Sequence, residues 1–121
     1  MAKRILVIED NADNRRILHV LLANAGYELI EAVDGEKGVL MAEQHRPYLI
    51  LMDIQLPTLD GYEITRIIKK NPDLQHIPII AVTSYAMSGD DKKARESGCD
   101  GYITKPFSPR TILEGVRELL P

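Results

Sequence analysis

The chain has 121 residues, 45% of them hydrophobic and 27% charged, with a formal net charge of -3. That length suits one domain with a core of its own, and the composition excludes a disordered chain. The acidic balance argues against a broad nucleic-acid footprint, and the single cysteine, Cys99, allows no internal disulfide, as suits a reducing compartment.

The first apolar run, Ile5 to Ile8, ends at two carboxylates, Glu9 and Asp10. The start "MAKRILVIED" is too short in apolar residues for a signal peptide. No later run approaches the ~20 residues of a membrane span. A cytoplasmic location with no membrane partner is therefore expected. A helix beginning near Asp13 follows, with an apolar face of Leu18, Leu21, Leu22 and Ala25, Ile17 at its edge, and a stop at Gly26. Asn14, Ile17 and Val20 form a second strip on this helix, rotated towards solvent, while Arg15 and Arg16 read as solvated.

A weaker strand signal covers Glu28 to Ala32. The strongest is Leu49 to Met52, four apolar residues running straight into Asp53 and then through Gln55 to Pro57. Asp60 and Glu63 make a capping box before Ile64, Ile67 and Ile68. Ile79 to Val82 leads into Thr83 and Ser84. The segment "SGDDKKARESG", Ser88 to Gly98, is capped at both ends but has almost no apolar face, so it is expected to be the least anchored helix. Gly101 to Thr104 leads into Lys105 and Pro106, and Ser108-Pro109 caps a last helix bearing Ile112, Leu113, Val116 and Leu120. Cys99 reads as a small buried hydrophobe. His19, His45 and His76 have no metal-ligand spacing and read as surface residues.

Continuous rather than alternating apolar runs signal strands buried on both faces, as in a parallel sheet between helices. Five strands alternating with five helices make the fold class α/β, in one domain over residues 1–121. In such a sheet all strand C-termini share one edge, where doubly wound folds bind ligands. Glu9, Asp10, Asp53, Thr83 and Lys105 therefore converge there from four strands. Two carboxylates about 4 Å apart repel by ~4 kcal/mol at an effective dielectric near 20. Lys105 offsets part of this, and a hard divalent cation with oxygen ligands offsets more. The plainer alternative is that Glu9 and Asp10 only favour the N-terminus of the first helix.

The motifs "VIEDN", "LILMDIQLPTLDG", "IIAVTSYA" and "GYITKPF", in order along the whole chain, resemble the receiver domain of two-component response regulators, and most of all the stand-alone, cell-cycle type. The resemblance implies a doubly wound, flavodoxin-like parallel sheet in the order 2-1-3-4-5 and Asp53 as phosphoacceptor. It implies Mg2+ (or Mn2+) on Glu9, Asp10, Asp53 and the main-chain carbonyl of Gln55. Thr83, Ser84 and Lys105 would bind the phosphoryl group, and Thr83 and Tyr102 would form the switch. Gln55 and Tyr85 would tune the lifetime of the phosphoryl group, and the Lys105–Pro106 bond is often cis in the family. Asn14, Ile17, Val20 and Pro106 would dock a histidine kinase or histidine phosphotransfer protein, and a downstream protein would read the switch. Catalysis would extend only to the chain's own phosphorylation and slow dephosphorylation. A phosphatase of the haloacid dehalogenase type fits less well, because it needs a second aspartate where Gln55 stands. A flavodoxin-like cofactor binder lacks its phosphate loop after the first strand, and the intact acidic set argues against a degenerate receiver that only docks.

Overall fold

The apolar runs pair into a single five-stranded sheet. Its strands are β1 (Arg4–Ile8), β2 (Glu28–Ala32), β3 (Leu49–Asp53), β4 (Ile79–Thr83) and β5 (Gly101–Thr104). They are all parallel, in the order β2-β1-β3-β4-β5. The helices between and after them are α1 (Ala12–Asn24), α2 (Gly35–His45), α3 (Gly61–Lys70), α4 (Asp90–Ser97) and α5 (Pro109–Leu119). The computed structural model describes residues 3–56, 60–84 and 90–120. Pro57, Tyr85 and Ser88, each singled out in the sequence, lie outside the described residues.

Every residue of β3 and β4 is buried, because helices cover both faces of the sheet. On one face Ile5, Val7, Leu49 and Leu51 pack with Leu18 and Leu22 of α1 and with Ile112 and Val116 of α5. On the other, Leu6, Ile8, Ile50 and Met52 pack with Ala42, Ile64, Ile68 and Ala94, from α2, α3 and α4. The period-2 alternation of strand side chains thus feeds two cores from one unbroken apolar run.

Helix starts follow local chemistry. Asn11, Asp34, Asp60 and Ser108 each accept a hydrogen bond from the backbone N–H three residues on, at 2.9, 2.8, 2.9 and 3.1 Å. One expectation needs correction. Ala25 is exposed as the C-cap of α1 rather than part of its core face, since the chain turns there through Gly26 at φ 95°. α4 has no apolar stripe among its described residues, and what it buries are the small side chains of Ala94 and Ser97. The Lys105–Pro106 peptide is cis.

Two further features frame the site. Gly61, the first residue of α3, donates to the Ile54 carbonyl at 2.9 Å, and a Cβ there would lie 2.6 Å from the Asp53 carbonyl oxygen. At the N-terminal edge of the sheet, Lys69 Nζ donates to the carbonyls of Gln75 (3.2 Å) and Ile77 (2.8 Å) and to Asp100 Oδ2 (3.0 Å). Asp100 Oδ2 also accepts from the Ile79 N–H at 2.9 Å.

Candidate functional site

β1 lies between β2 and β3, so the strand order reverses beside it, and the crevice opens at the C-terminal edge. β1 delivers Glu9, β3 ends in Asp53, β4 ends in Thr83, and Lys105 follows β5. Ligand atoms of Glu9, Asp10 and Asp53 all lie within 4.8 Å of one another. Glu9 and Asp53 are buried, at 2% and 4% exposure, whereas Asp10 is exposed.

Lys105 Nζ donates to Glu9 Oε1 at 3.1 Å and stands 3.5 Å from Asp53 Oδ1. The amide of Asn14 also donates to Glu9 Oε1, at 3.0 Å. The other oxygen of that carboxylate, Glu9 Oε2, is buried and receives no donor among the described residues. A buried anion left half-satisfied is costly. Burial first, and then the hydrogen bond and charge of Asp53, push the Glu9 carboxyl above its ordinary value, with Lys105 opposing. An all-oxygen donor set with excess negative charge and an unpartnered buried oxygen is what a hard divalent cation satisfies. The residues present therefore fit Mg2+.

The Gln55 N–H donates to Asp53 Oδ1 at 3.0 Å, and its side-chain oxygen accepts from the Ser84 N–H at 2.9 Å. One residue thus ties the loop after β3 to the loop after β4. Thr83 is fully buried, and its carbonyl accepts from the Lys105 N–H at 2.7 Å. Tyr102 is half-buried on β5, opposite Ala81, and lines a cleft of about 210 Å³ with Ala94 and Cys99 of the α4 side. Cys99 is buried, with its Sγ 3.7 Å from Thr65 Oγ1, and its thiol is pushed up by burial.

The strip on α1 is placed as expected. Ile17 and Val20 are each 53% exposed, and Asn14 is half-buried. Asn14, Ile17, Ser84, Lys105, Pro106 and Phe107 line an open cleft of about 450 Å³ beside the acidic group. Arg15 departs from expectation. It is half-buried and its Nη1 donates to the carbonyls of Glu9 (2.8 Å) and Asp10 (3.0 Å). Arg16 is exposed. No helix among the described residues is long and apolar enough to cross a membrane.

The model of the response regulator receiver domain family matches residues 5–117. The chain is 42% identical over 120 residues to the polar-differentiation response regulator DivK of Brucella anthropi, covering 99% of this chain and 98% of that protein. Chemotaxis protein CheY4 of Vibrio cholerae shares the fold, with a TM-score of 0.93 at 24% identity over 98% of this chain and 99% of that one. The receiver domain of sensor histidine kinase PA1611 from Pseudomonas aeruginosa superposes with a TM-score of 0.91 at 34% identity, covering 99% and 98% of the two chains. That structure holds a magnesium ion coordinated in its active-site cleft. An acidic pocket at the carboxyl edge of a 2-1-3-4-5 sheet and a family match over nearly its whole length agree: the chain belongs to the receiver domains of two-component response regulators.

Proposed function

We propose that Asp53 is the phosphoacceptor of this receiver, and that residues 1–121 act as one phosphorylation-dependent switch. The observation that carries the reading is Glu9 Oε2, buried and unpartnered, within an acidic group that holds Asp53 at the end of a rigid strand. Glu9, Asp10, Asp53 and the Gln55 carbonyl would hold Mg2+, or Mn2+ in its place, which would supply neutralising charge for the phosphoryl group.

The phosphoryl group passes from a histidine nitrogen of a kinase or phosphotransfer protein to a carboxylate oxygen of Asp53. The O–P bond forms as the N–P bond breaks, and the electron pair returns to the imidazole, which takes a proton from water. Transfer through a loose transition state asks the protein mainly for position and charge. Lys105 supplies a cation, and Thr83 and Ser84 supply donors. The cleft lined by Asn14, Ile17 and Pro106, with Val20 beyond it on α1, receives the donor protein. A small phosphodonor serves in its place, so the chain catalyses its own phosphorylation. Thr83 drawn towards the new phosphate leaves space for Tyr102, which alters the face read by a downstream protein. Gln55, with Tyr85, governs water access and hence lifetime. The cytoplasm, where kinases of this kind act, is its proposed location.

Incubation with Mg2+ and acetyl phosphate tests the acceptor. One phosphoryl group should appear by intact-mass measurement and be removed by hydroxylamine, and Asp53→Asn should abolish it. Labelling of that variant to the parent's level would show that Asp53 is not the acceptor.

A further inference from the structure

Glu9 is held at every polar atom but one. Its N–H donates to the Ala32 carbonyl at 3.0 Å, its carbonyl accepts from Arg15, and its Oε1 accepts from Asn14 and Lys105. Among the described residues only Oε2 is left without a donor. Asp10 is the single residue between β1–Glu9 and the N-cap Asn11, and its carbonyl is fixed by the same Arg15 Nη1. One guanidinium therefore spans the two peptide units whose carboxylates face the cation site.

We propose that Arg15 is a positioning residue for the divalent cation, a role that rests on the reading of Glu9 and Asp10 as its ligands. It touches neither cation nor phosphoryl group. It fixes the turn after β1 from behind, so that both carboxylates are presented before the cation arrives. Outer-sphere partners of this kind typically change metal affinity by roughly 10–100-fold. The sign separates positioning from simple charge. Removing a cation near the site should, by relief of Coulomb repulsion alone, tighten Mg2+ binding. Loss of positioning should weaken it.

Calorimetric titration of the metal-free protein with MgCl2 tests this, with affinity expressed per folded molecule from circular dichroism at the same temperature. Arg15→Met should bind Mg2+ roughly tenfold more weakly. Arg15→Lys should recover part of the loss, because an ammonium can still donate to one carbonyl. Arg16→Met, which removes equal charge from the same helix, should leave the affinity equal or slightly tighter. Saturating Mg2+ should restore the Arg15→Met phosphorylation rate to near the parent's. Unchanged or tighter binding by folded Arg15→Met overturns the proposal, as does a lowered melting temperature with the same affinity. A parent that binds no Mg2+ overturns the proposed metal site as well.

Discussion

The two edges of the sheet each set a partly buried lysine against carboxylate, and they solve the electrostatics in opposite ways. At the N-terminal edge, Lys69 is 19% exposed and, among the described residues, pairs with one carboxylate, Asp100. Its ammonium has three acceptors, and the shared Asp100 oxygen takes a backbone N–H besides. At the C-terminal edge Lys105, 17% exposed, stands against two carboxylates of an acidic group of three, Glu9 and Asp53, and one oxygen of Glu9 receives no hydrogen bond among the described residues. Charge and hydrogen bonds close at the first edge and stay open at the second. A closed network rigidifies a fold. An open one leaves an unmet demand for a cation, so a lysine set against carboxylate does not by itself distinguish scaffold from site.

The contrast is broken most directly at Asp10. Asp10→Asn should lower Mg2+ affinity on the order of a hundredfold, since it removes a ligand rather than an outer-sphere partner. Metal-free stability should be unchanged or raised, because repulsion with Glu9 and Asp53 is relieved. Chemical denaturation of a clearly destabilised metal-free variant would make that carboxylate a structural cap and erase the difference between the edges.

Lys69→Met is the opposite experiment. It leaves two carbonyls and Asp100 without their ammonium, and unfolding free energy should fall by about 1–2 kcal/mol, tempered by the partial exposure of Asp100. Mg2+ titration should give the parent's affinity. Should the affinity fall, the closed edge takes part in the site.

The smallest effect is in the pH dependence. Glu9 is held above its ordinary 4.5, by burial first. The folded protein then binds this proton more tightly than the unfolded chain does. Its contribution to stability is fully present below the ordinary value and is lost as pH rises through the raised one. The slope cannot exceed about 1.4 kcal/mol per pH unit for one proton. In metal-free protein, denaturant midpoints should fall over that window, and Glu9→Gln should flatten them. A midpoint that rises over the same window with Glu9 present, and loses that rise in Glu9→Gln, would mean that Lys105 dominates and the charge is already balanced.

The open edge was the more legible of the two. Each of its acidic and basic groups follows an apolar run, and strand ends in a parallel sheet coincide, so Glu9, Asp53, Thr83 and Lys105 could be placed together from spacing alone. The caps at Asp60 and Ser108 were legible for the same local reason. Arg15 was not. Helical periodicity sets it off the core stripe, and only the packing of α1 over the preceding turn brings its guanidinium to two carbonyls. Lys69 was hidden likewise, since its acceptors are backbone atoms of a loop and an aspartate far along the chain. The buried positions of α4, Ala94 and Ser97, were not legible because amphipathic patterns register large apolar residues. The bridge from Gln55 to Ser84 joins two loops whose approach no local pattern encodes.

Gly61 carries a mechanical consequence. With no side chain, the start of α3 lies directly on the peptide of Asp53, and its N–H is tied to the next carbonyl along. Helix and β3 form one stiff part, further braced by the Ile54 N–H on the Val82 carbonyl at 3.0 Å. Asp53 is thus the stator of the assembly. A charge added there would meet a carboxylate on a stiff support, leaving the ammonium of Lys105 and the turn that Arg15 grips as the neighbours to adjust.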